Sequence, residues 1–198
     1  MNKTIIIATK NQGKAKEFKK IFNAYGYQVK TLLDYPNIKE VPETGETFAE
    51  NAFQKASTIS SELNTIVLAD DSGLEVDALG GRPGIYSARF AGEHGNDAKN
   101  NQKLVEVLKN IPEEDRGANF HCSLVLAGPD REPLFVEGQA FGQILDVGRG
   151  ENGFGYDPLF YIPELDKTMA ELTSEEKNEI SHRARAIKKL QKHLDNWL

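Results

Sequence analysis

Leu68-Ala69-Asp70-Asp71-Ser72-Gly73-Leu74-Glu75-Val76 opens the stretch that decides the fold, which continues through Gly80-Gly81-Arg82-Pro83-Gly84 to Gly92. Just ahead of it, Thr65-Ile66-Val67-Leu68-Ala69 is a short apolar run with β-branched residues, the pattern of a buried strand. Two adjacent carboxylates and a Ser-Gly turn follow where that strand is expected to run out. An open α/β sheet binds ligands at such strand ends. An acidic helix cap and a surface turn account for the same residues when they are taken alone. Gly80, Gly81 and Gly84, around Pro83, then shape a loop able to approach a ligand closely.

Working outward toward the amino terminus, Thr4-Ile5-Ile6-Ile7-Ala8 reads as a buried strand and Thr9-Lys10-Asn11-Gln12-Gly13-Lys14 follows at once. Ala15, Phe18, Ile21, Phe22 and Tyr25 recur at helical spacing, so the segment is strand, tight polar loop, helix. Such a junction offers backbone N–H groups and the positive end of a helix dipole to an anion, with Lys14 adding charge. The Walker A pattern is absent, because Ala15 stands where that motif needs Ser or Thr. An ordinary capped helix explains this junction as well as phosphate binding does. Gln28 to Leu32 reads as a second strand, and Phe48, Ala52, Ala56, Ile59 and Leu63 mark the apolar face of a helix over 47–63. Asn51 and Lys55 share its polar face. Glu43 precedes that helix, either as a solvated loop residue or, if it comes near Asp70 and Asp71, as a ligand for Mg²⁺, which takes a few carboxylates and completes its shell with water and phosphate.

Toward the carboxyl terminus, Asp97 is expected to cap a helix carrying Ala98, Asn101, Leu104, Val105 and Leu108. Ala118 to Leu126 alternates as a half-buried strand, Gly128-Pro129-Asp130-Arg131 turns, and Leu134 to about Ile144 returns. His121 falls on the polar register of this hairpin, without Cys or His partners at ligand spacing. Gly148-Arg149-Gly150-Glu151-Asn152-Gly153 matches G-x-G-x-x-G, yet Phe154-Gly155-Tyr156-Asp157-Pro158 follows where a dinucleotide fingerprint needs a helix. Aromatic residues spaced by glycine can instead offer a stacking face and edge hydrogen bonds to a purine, or simply pin an irregular loop to the core. Leu159 to Ile162 is a further strand. Thr173-Ser174-Glu175-Glu176 fits a capping box, and Ile180, Ala184, Ile187, Leu190 and Leu194 line the terminal helix. On one straight helix Lys177, His182 and Arg183 point to three faces, so a shared ligand demands a break near Asn178-Glu179 with Lys177 on a preceding turn.

The chain of 198 residues suits a single domain, of one or two lobes. A formal charge of −6 argues against a nucleic-acid partner, which usually selects a basic surplus. The one cysteine, Cys122, allows no internal disulfide and suits a reducing compartment. No run approaches the roughly 18 apolar residues of a membrane span. A cytoplasmic protein without a membrane partner is expected.

Six motifs, in order along nearly the whole chain, resemble the inosine/xanthosine triphosphate pyrophosphatase family. They are Thr9-x-Asn11-x-x-Lys14-x-x-Glu17, Glu43-Thr44-Gly45-x-Thr47-Phe48-x-x-Asn51-Ala52, Ala69-Asp70-Asp71-Ser72-Gly73-Leu74, Gly84-Ile85-Tyr86-Ser87-Ala88-Arg89, Gly153-Phe154-Gly155-Tyr156-Asp157-Pro158 and Ser181-His182-Arg183-Ala184. The resemblance implies an α/β fold of the Maf/Ham1 type: elongated, two-lobed, built on a long mixed sheet with flanking helices and a central cleft, and assembled as a homodimer. It implies Mg²⁺-dependent cleavage of ITP, dITP and XTP to the monophosphate and pyrophosphate, clearing deaminated purines from the nucleotide pool. By motif, Thr9, Lys10, Asn11, Gln12, Gly13 and Lys14 would hold the triphosphate, Glu43 and Asp71 the metal, and Asp71 would accept the proton. Ser72, Phe154, Gly155, Tyr156, Asp157, Lys177, His182 and Arg183 would contact the rest of the substrate. Beside a metal, Asp71 would keep a low pKa. A Maf-like pyrophosphatase of other modified nucleotides is the nearest alternative, against which the Phe154–Asp157 and His182-Arg183 motifs speak. A nucleotide sensor without turnover is the alternative of a different class, made less attractive by Glu43, Asp70 and Asp71 together.

Overall fold

The computed structural model describes residues 3–198, apart from positions 13 and 17 beyond their place in the first helix. In chain order the elements are β1 (Lys3–Ile7), α1 (Gln12–Ala24), β2 (Tyr27–Thr31), α2 (Phe48–Leu63), β3 (Ile66–Val76), α3 (Asp97–Leu108), β4 (Gly117–Ala127), β5 (Leu134–Ile144), β6 (Phe160–Ile162), β7 (Lys167–Thr168), α4 (Ser174–Ile180) and α5 (His182–Trp197). The strands form one open sheet in the order β2-β1-β3-β4-β5-β6-β7. β1 runs parallel to β2 and β3, as helical crossovers require, whereas β5, β6 and β7 are antiparallel neighbours. The expected mixed sheet with flanking helices is what the chain forms. No helix among the described residues is long and apolar enough to cross a membrane.

Two compact units divide the chain. The first holds the chain through Asp71, Ser123–Glu137 and Ile187–Leu198; the second holds Ser72–Cys122 and Gly138–Ala186. In the first, Ile6, Val67, Ala69 and Val125 from the strands pack with Ala52, Ala56 and Ile59, the i, i+4, i+7 stripe of α2. Thr47 caps α2 reciprocally with Glu50, each satisfying one orphan N–H group. In the second, Leu74, Phe120, Ile144 and Phe160 pack with Leu104 and Leu108 of α3 and with Met169. Cys122 is buried.

Three local expectations are corrected. β3 does not end at Ala69 but continues through Asp70-Asp71-Ser72-Gly73 to Val76, so the carboxylates stand within a strand and no Ser-Gly turn forms. The reason is that Leu74 and Val76 are fully buried and resume the strand, while the Leu74 N–H donates to Ser87 Oγ at 2.8 Å. The terminal helix does break, but at Ser181 (ψ 156°) rather than near Asn178-Glu179, and Lys177 is helical in α4 rather than on a turn. Ser181 Oγ accepts the Ala184 N–H at 3.1 Å, which starts α5 afresh. Finally, Asn96 caps α3 by accepting the Lys99 N–H, so Asp97 is the first helical residue instead of the cap.

Candidate functional site

The first unit gathers charged groups from four separate segments. At the start of α1, Asn11 Oδ1 accepts the Lys14 N–H at 3.1 Å and Thr9 Oγ1 accepts the Asn11 N–H at 3.0 Å. These bonds fix the β1–α1 junction. No acidic side chain occupies the first turn of α1, so the positive end of its dipole faces no carboxylate of its own turn. Thr9 is buried, while Lys10, Asn11 and Gln12 are exposed; of Gly13 only its place in α1 is described. Lys14 leans from α1 to Asp70, Nζ to Oδ2 at 2.8 Å, and Lys55 leans from α2 to Glu43, Nζ to Oε1 at 2.5 Å. Lys55 Nζ also lies 3.5 Å from the Asp70 carbonyl oxygen.

Asp71 is the group under electrostatic load. Burial pushes its carboxyl up to about 7 from 3.8, and the charges of Glu43 and Asp70 act in the same direction. The Lys55 charge and a hydrogen bond from the Asn51 side chain oppose the rise without cancelling it. Asn51 is set for this, because it is 1% exposed and its Oδ1 is already occupied by the Gly45 N–H at 2.8 Å. For Lys55, burial alone would lower the pKa of the ammonium, but the hydrogen bond and charge of Glu43, with Asp70 and Asp71 behind them, raise it. Three carboxylates thus face two ammonium groups.

Such a set fits a small divalent cation. Glu43 and Asp71 supply hard oxygen donors; burial first, and then the charges of Glu43 and Asp70, keep a proton on Asp71, and a cation would stabilise the carboxylate against both. Among the described residues no three His, Cys, Asp or Glu side chains already stand as a cage. An ion held here would complete its shell with water and ligand phosphate, the habit of Mg²⁺ rather than Zn²⁺.

The second unit carries the aromatic loop. Gly153 has φ +76°, and a Cβ there would fall 2.1 Å from Asp157 Oδ2, so only glycine lets the chain pass. The Asp157 carboxylate, 6% exposed, accepts from the Phe154 N–H at 3.1 Å and from Lys177 Nζ at 2.6 Å. Phe154 remains 55% exposed, with Lys177 Nζ 5.1 Å from its ring centroid. Tyr156, by contrast, is buried and donates its hydroxyl to the Ser87 carbonyl at 2.7 Å. Burial, followed by the Asp97 charge, raises its phenol pKa far above the usual range. His182 is buried and stacks on Phe120 at 5.0 Å between centroids, and Arg183 beside it is buried too. Ser72 is half-buried in β3.

The expected residues therefore fall into two sets: Thr9 to Lys14 with Glu43 and Asp71 in the first unit, and Ser72, Phe154 to Asp157, Lys177, His182 and Arg183 in the second. Sequence reasoning placed Asp70 beside Asp71 among the candidate carboxylates, but it gave Lys55 and Asn51 no role in the site. The i, i+4 spacing of Asn51 and Lys55 was the available signal, and what it lacked was the knowledge that this face of α2 turns toward β3.

The architecture is that of an open mixed α/β protein carrying a charged cluster suited to a phosphorylated ligand. The Ham1 family model matches residues 5–193, and the chain belongs to the Ham1 family. It is 54% identical to a dITP/XTP pyrophosphatase of Bacillus cereus over 197 residues, 98% of this chain and 96% of that protein. It is 57% identical to one from Listeria monocytogenes over 190 residues, 96% of this chain and 94% of that one. Among solved structures, the Ham1 protein of Staphylococcus aureus superposes with a TM-score of 0.92 at 50% identity, covering 98% of this chain and 99% of its own. The nucleoside-triphosphatase, or dITP/XTP pyrophosphatase, of Mycobacterium abscessus gives 0.82 at 43% identity, over 94% and 98%.

Proposed function

We propose that this chain hydrolyses the deaminated purine nucleoside triphosphates ITP, dITP and XTP to the monophosphate and pyrophosphate, with Mg²⁺ as cofactor. The observation that carries this reading is the loaded carboxyl of Asp71, beside Glu43 and Asp70 and flanked by Lys14 and Lys55. A triphosphate brings roughly four negative charges that must be offset before water can approach phosphorus. Lys14, Lys55 and the amino-terminal end of α1 supply part of that charge, and Glu43 and Asp71 would hold the cation that supplies the rest. When bound, Mg²⁺ would neutralise phosphate charge and make a coordinated water more acidic.

The chemical step is an in-line displacement at the α-phosphorus. A water oxygen forms the new P–O bond, the bond from the α-phosphorus to the bridging oxygen breaks, and pyrophosphate leaves. The proton lost by the water passes to a carboxylate oxygen of Asp71. Asn51 keeps that side chain oriented by donating to it. On the base side, the exposed Phe154 ring offers a stacking face. His182 and Arg183 are donors suited to a 6-oxo acceptor, whereas the amino group of adenine would set donor against donor. Tyr156 and Asp157 serve by holding the loop, since the hydroxyl of one and the carboxylate of the other are already engaged.

Pyrophosphate release from ITP, XTP, dITP, GTP and ATP by the purified protein, with and without Mg²⁺, tests the reading. Rapid release from the first three, and slow release from GTP and ATP, is expected. Equal turnover of ATP or GTP overturns the selectivity, and tight binding without release would favour a sensor. The reading also carries a homodimer acting in the cytoplasm, as the family resemblance implies; light scattering during gel filtration would check the dimer.

A further inference from the structure

We propose that Asp97 and Asn101, at the start of α3, are positioning residues that hold the aromatic loop in register for the purine base; this rests on the function proposed above. Gly155, the residue between Phe154 and Tyr156, is gripped at both of its main-chain polar groups. Its N–H donates to Asp97 Oδ2 at 2.8 Å, and its carbonyl accepts from Asn101 Nδ2 at 2.8 Å. Asp97 and Asn101 are four residues apart and share one face of α3, so a single helical turn holds a single loop residue. Asn101 Nδ2 also donates to the Asp97 carbonyl at 2.8 Å, which fixes the plane of the amide. A carboxylate in the first turn is favoured by the helix dipole, so Asp97 is well placed to accept.

Gly155 has φ +61°, and a Cβ there would meet nothing within 4 Å. Glycine at this position is thus a matter of backbone conformation, not of space. With the Phe154 N–H on Asp157 and the Tyr156 hydroxyl on the Ser87 carbonyl, the polar groups on either side of Gly155 are engaged as well. What the loop leaves outward is the Phe154 ring. A ring whose backbone is already ordered loses little further freedom when a base stacks on it, and that pre-organisation appears as affinity.

Steady-state pyrophosphate release from ITP by the full-length enzyme with Mg²⁺ tests this. Asp97→Ala and Asn101→Asp should each raise KM about fivefold to tenfold while kcat changes by less than about twofold. Asp97→Asn keeps an acceptor for the Gly155 N–H and should recover most of the affinity. Inhibition by IMP should weaken by the same factor, whereas inhibition by pyrophosphate at fixed free Mg²⁺ should stay as in the wild type. Asn101→Asp preserves size and replaces a donor by an acceptor, so it serves if Asp97→Ala fails to fold. If the wild type turns over ITP and the variants keep its KM, or lose IMP and pyrophosphate inhibition alike, the positioning role is overturned. A wild type that releases no pyrophosphate overturns the proposed function, and this inference with it.

Discussion

Both units contain a lysine paired with a buried aspartate, Lys14 with Asp70 at 2.8 Å and Lys177 with Asp157 at 2.6 Å, yet the two pairs sit in opposite electrostatic situations. Asp157 has a cation and the Phe154 N–H for its charge, so it acts as a fixed strut for the loop. Asp70 has its cation too, but the next residue along the strand is Asp71, loaded by burial and by the charges of Glu43 and Asp70. A balanced pair defines geometry and has no need of anything further. An unbalanced cluster holds on to a proton and is ready to exchange it for a cation.

The largest effect that would sharpen this contrast is expected from Asp71→Asn. Turnover of ITP should fall by roughly 10²-fold to 10⁴-fold, because the proton acceptor and a metal donor are lost together. A circular dichroism spectrum should stay that of the wild type, and retained turnover would place the chemistry elsewhere. Asp157→Asn should act differently, raising KM for ITP through a loosened loop while kcat is largely kept; equal loss of kcat in both variants would erase the distinction between strut and reacting group.

Next in size is Phe154→Ala, for which KM for ITP should rise roughly tenfold, in keeping with about 1–3 kcal/mol for one stacked base. Pyrophosphate inhibition should be unchanged, since the ring serves the base and not the phosphates. Lys55→Met should weaken triphosphate binding by about fivefold to tenfold, the loss of one charge-assisted contact, measured as KM at saturating Mg²⁺. An unchanged KM would reduce Lys55 to a partner of Glu43 alone.

The smallest effect is on stability and is read without metal. Asp71 binds its proton more tightly in the folded protein, at about 7, than the ordinary carboxyl at 3.8. Between those values the folded state carries a proton that the unfolded state lacks, so this contribution to stability is complete below 3.8 and is lost as the pH rises through about 7. Asp71→Asn should therefore raise the melting temperature of the metal-free protein at pH 8 by a few degrees, roughly 2–5 °C, and by much less at pH 5. A melting temperature that rises equally at both pH values would mean that the carboxyl is not loaded as described.

Much of the fold was legible in the chain because it rests on local signals. The alternation in Gly117–Ala127, the 52, 56, 59 stripe of α2 and the capping box at Thr173 all report their element directly. The G-x-G-x-x-G decoy was rejected on equally local grounds, and no helix follows it. What local patterns missed was continuity and partnership. Asp70-Asp71-Ser72-Gly73 looks like the end of a strand, since polar residues and glycine usually interrupt one, and only the burial of Leu74 and Val76 shows why the strand goes on. Likewise the break between α4 and α5 follows from Ser181 turning its hydroxyl to the Ala184 N–H, a choice that competes closely with continuing the helix.

The sequence by itself determined the α/β class, the placing of most helices and strands, and a set of residues whose types suit phosphate, metal and purine. Those follow from periodicity, capping and side-chain chemistry, all of which act over a few residues. Only the tertiary structure decided which charges meet: that Lys14 takes Asp70, that Lys55 takes Glu43, and that Asp71 bears the excess. Pairing across 56 residues, as between Lys14 and Asp70, depends on which strands adjoin and which helix face turns inward, and a carboxyl acquires its proton affinity from the charges and the burial that this packing sets around it.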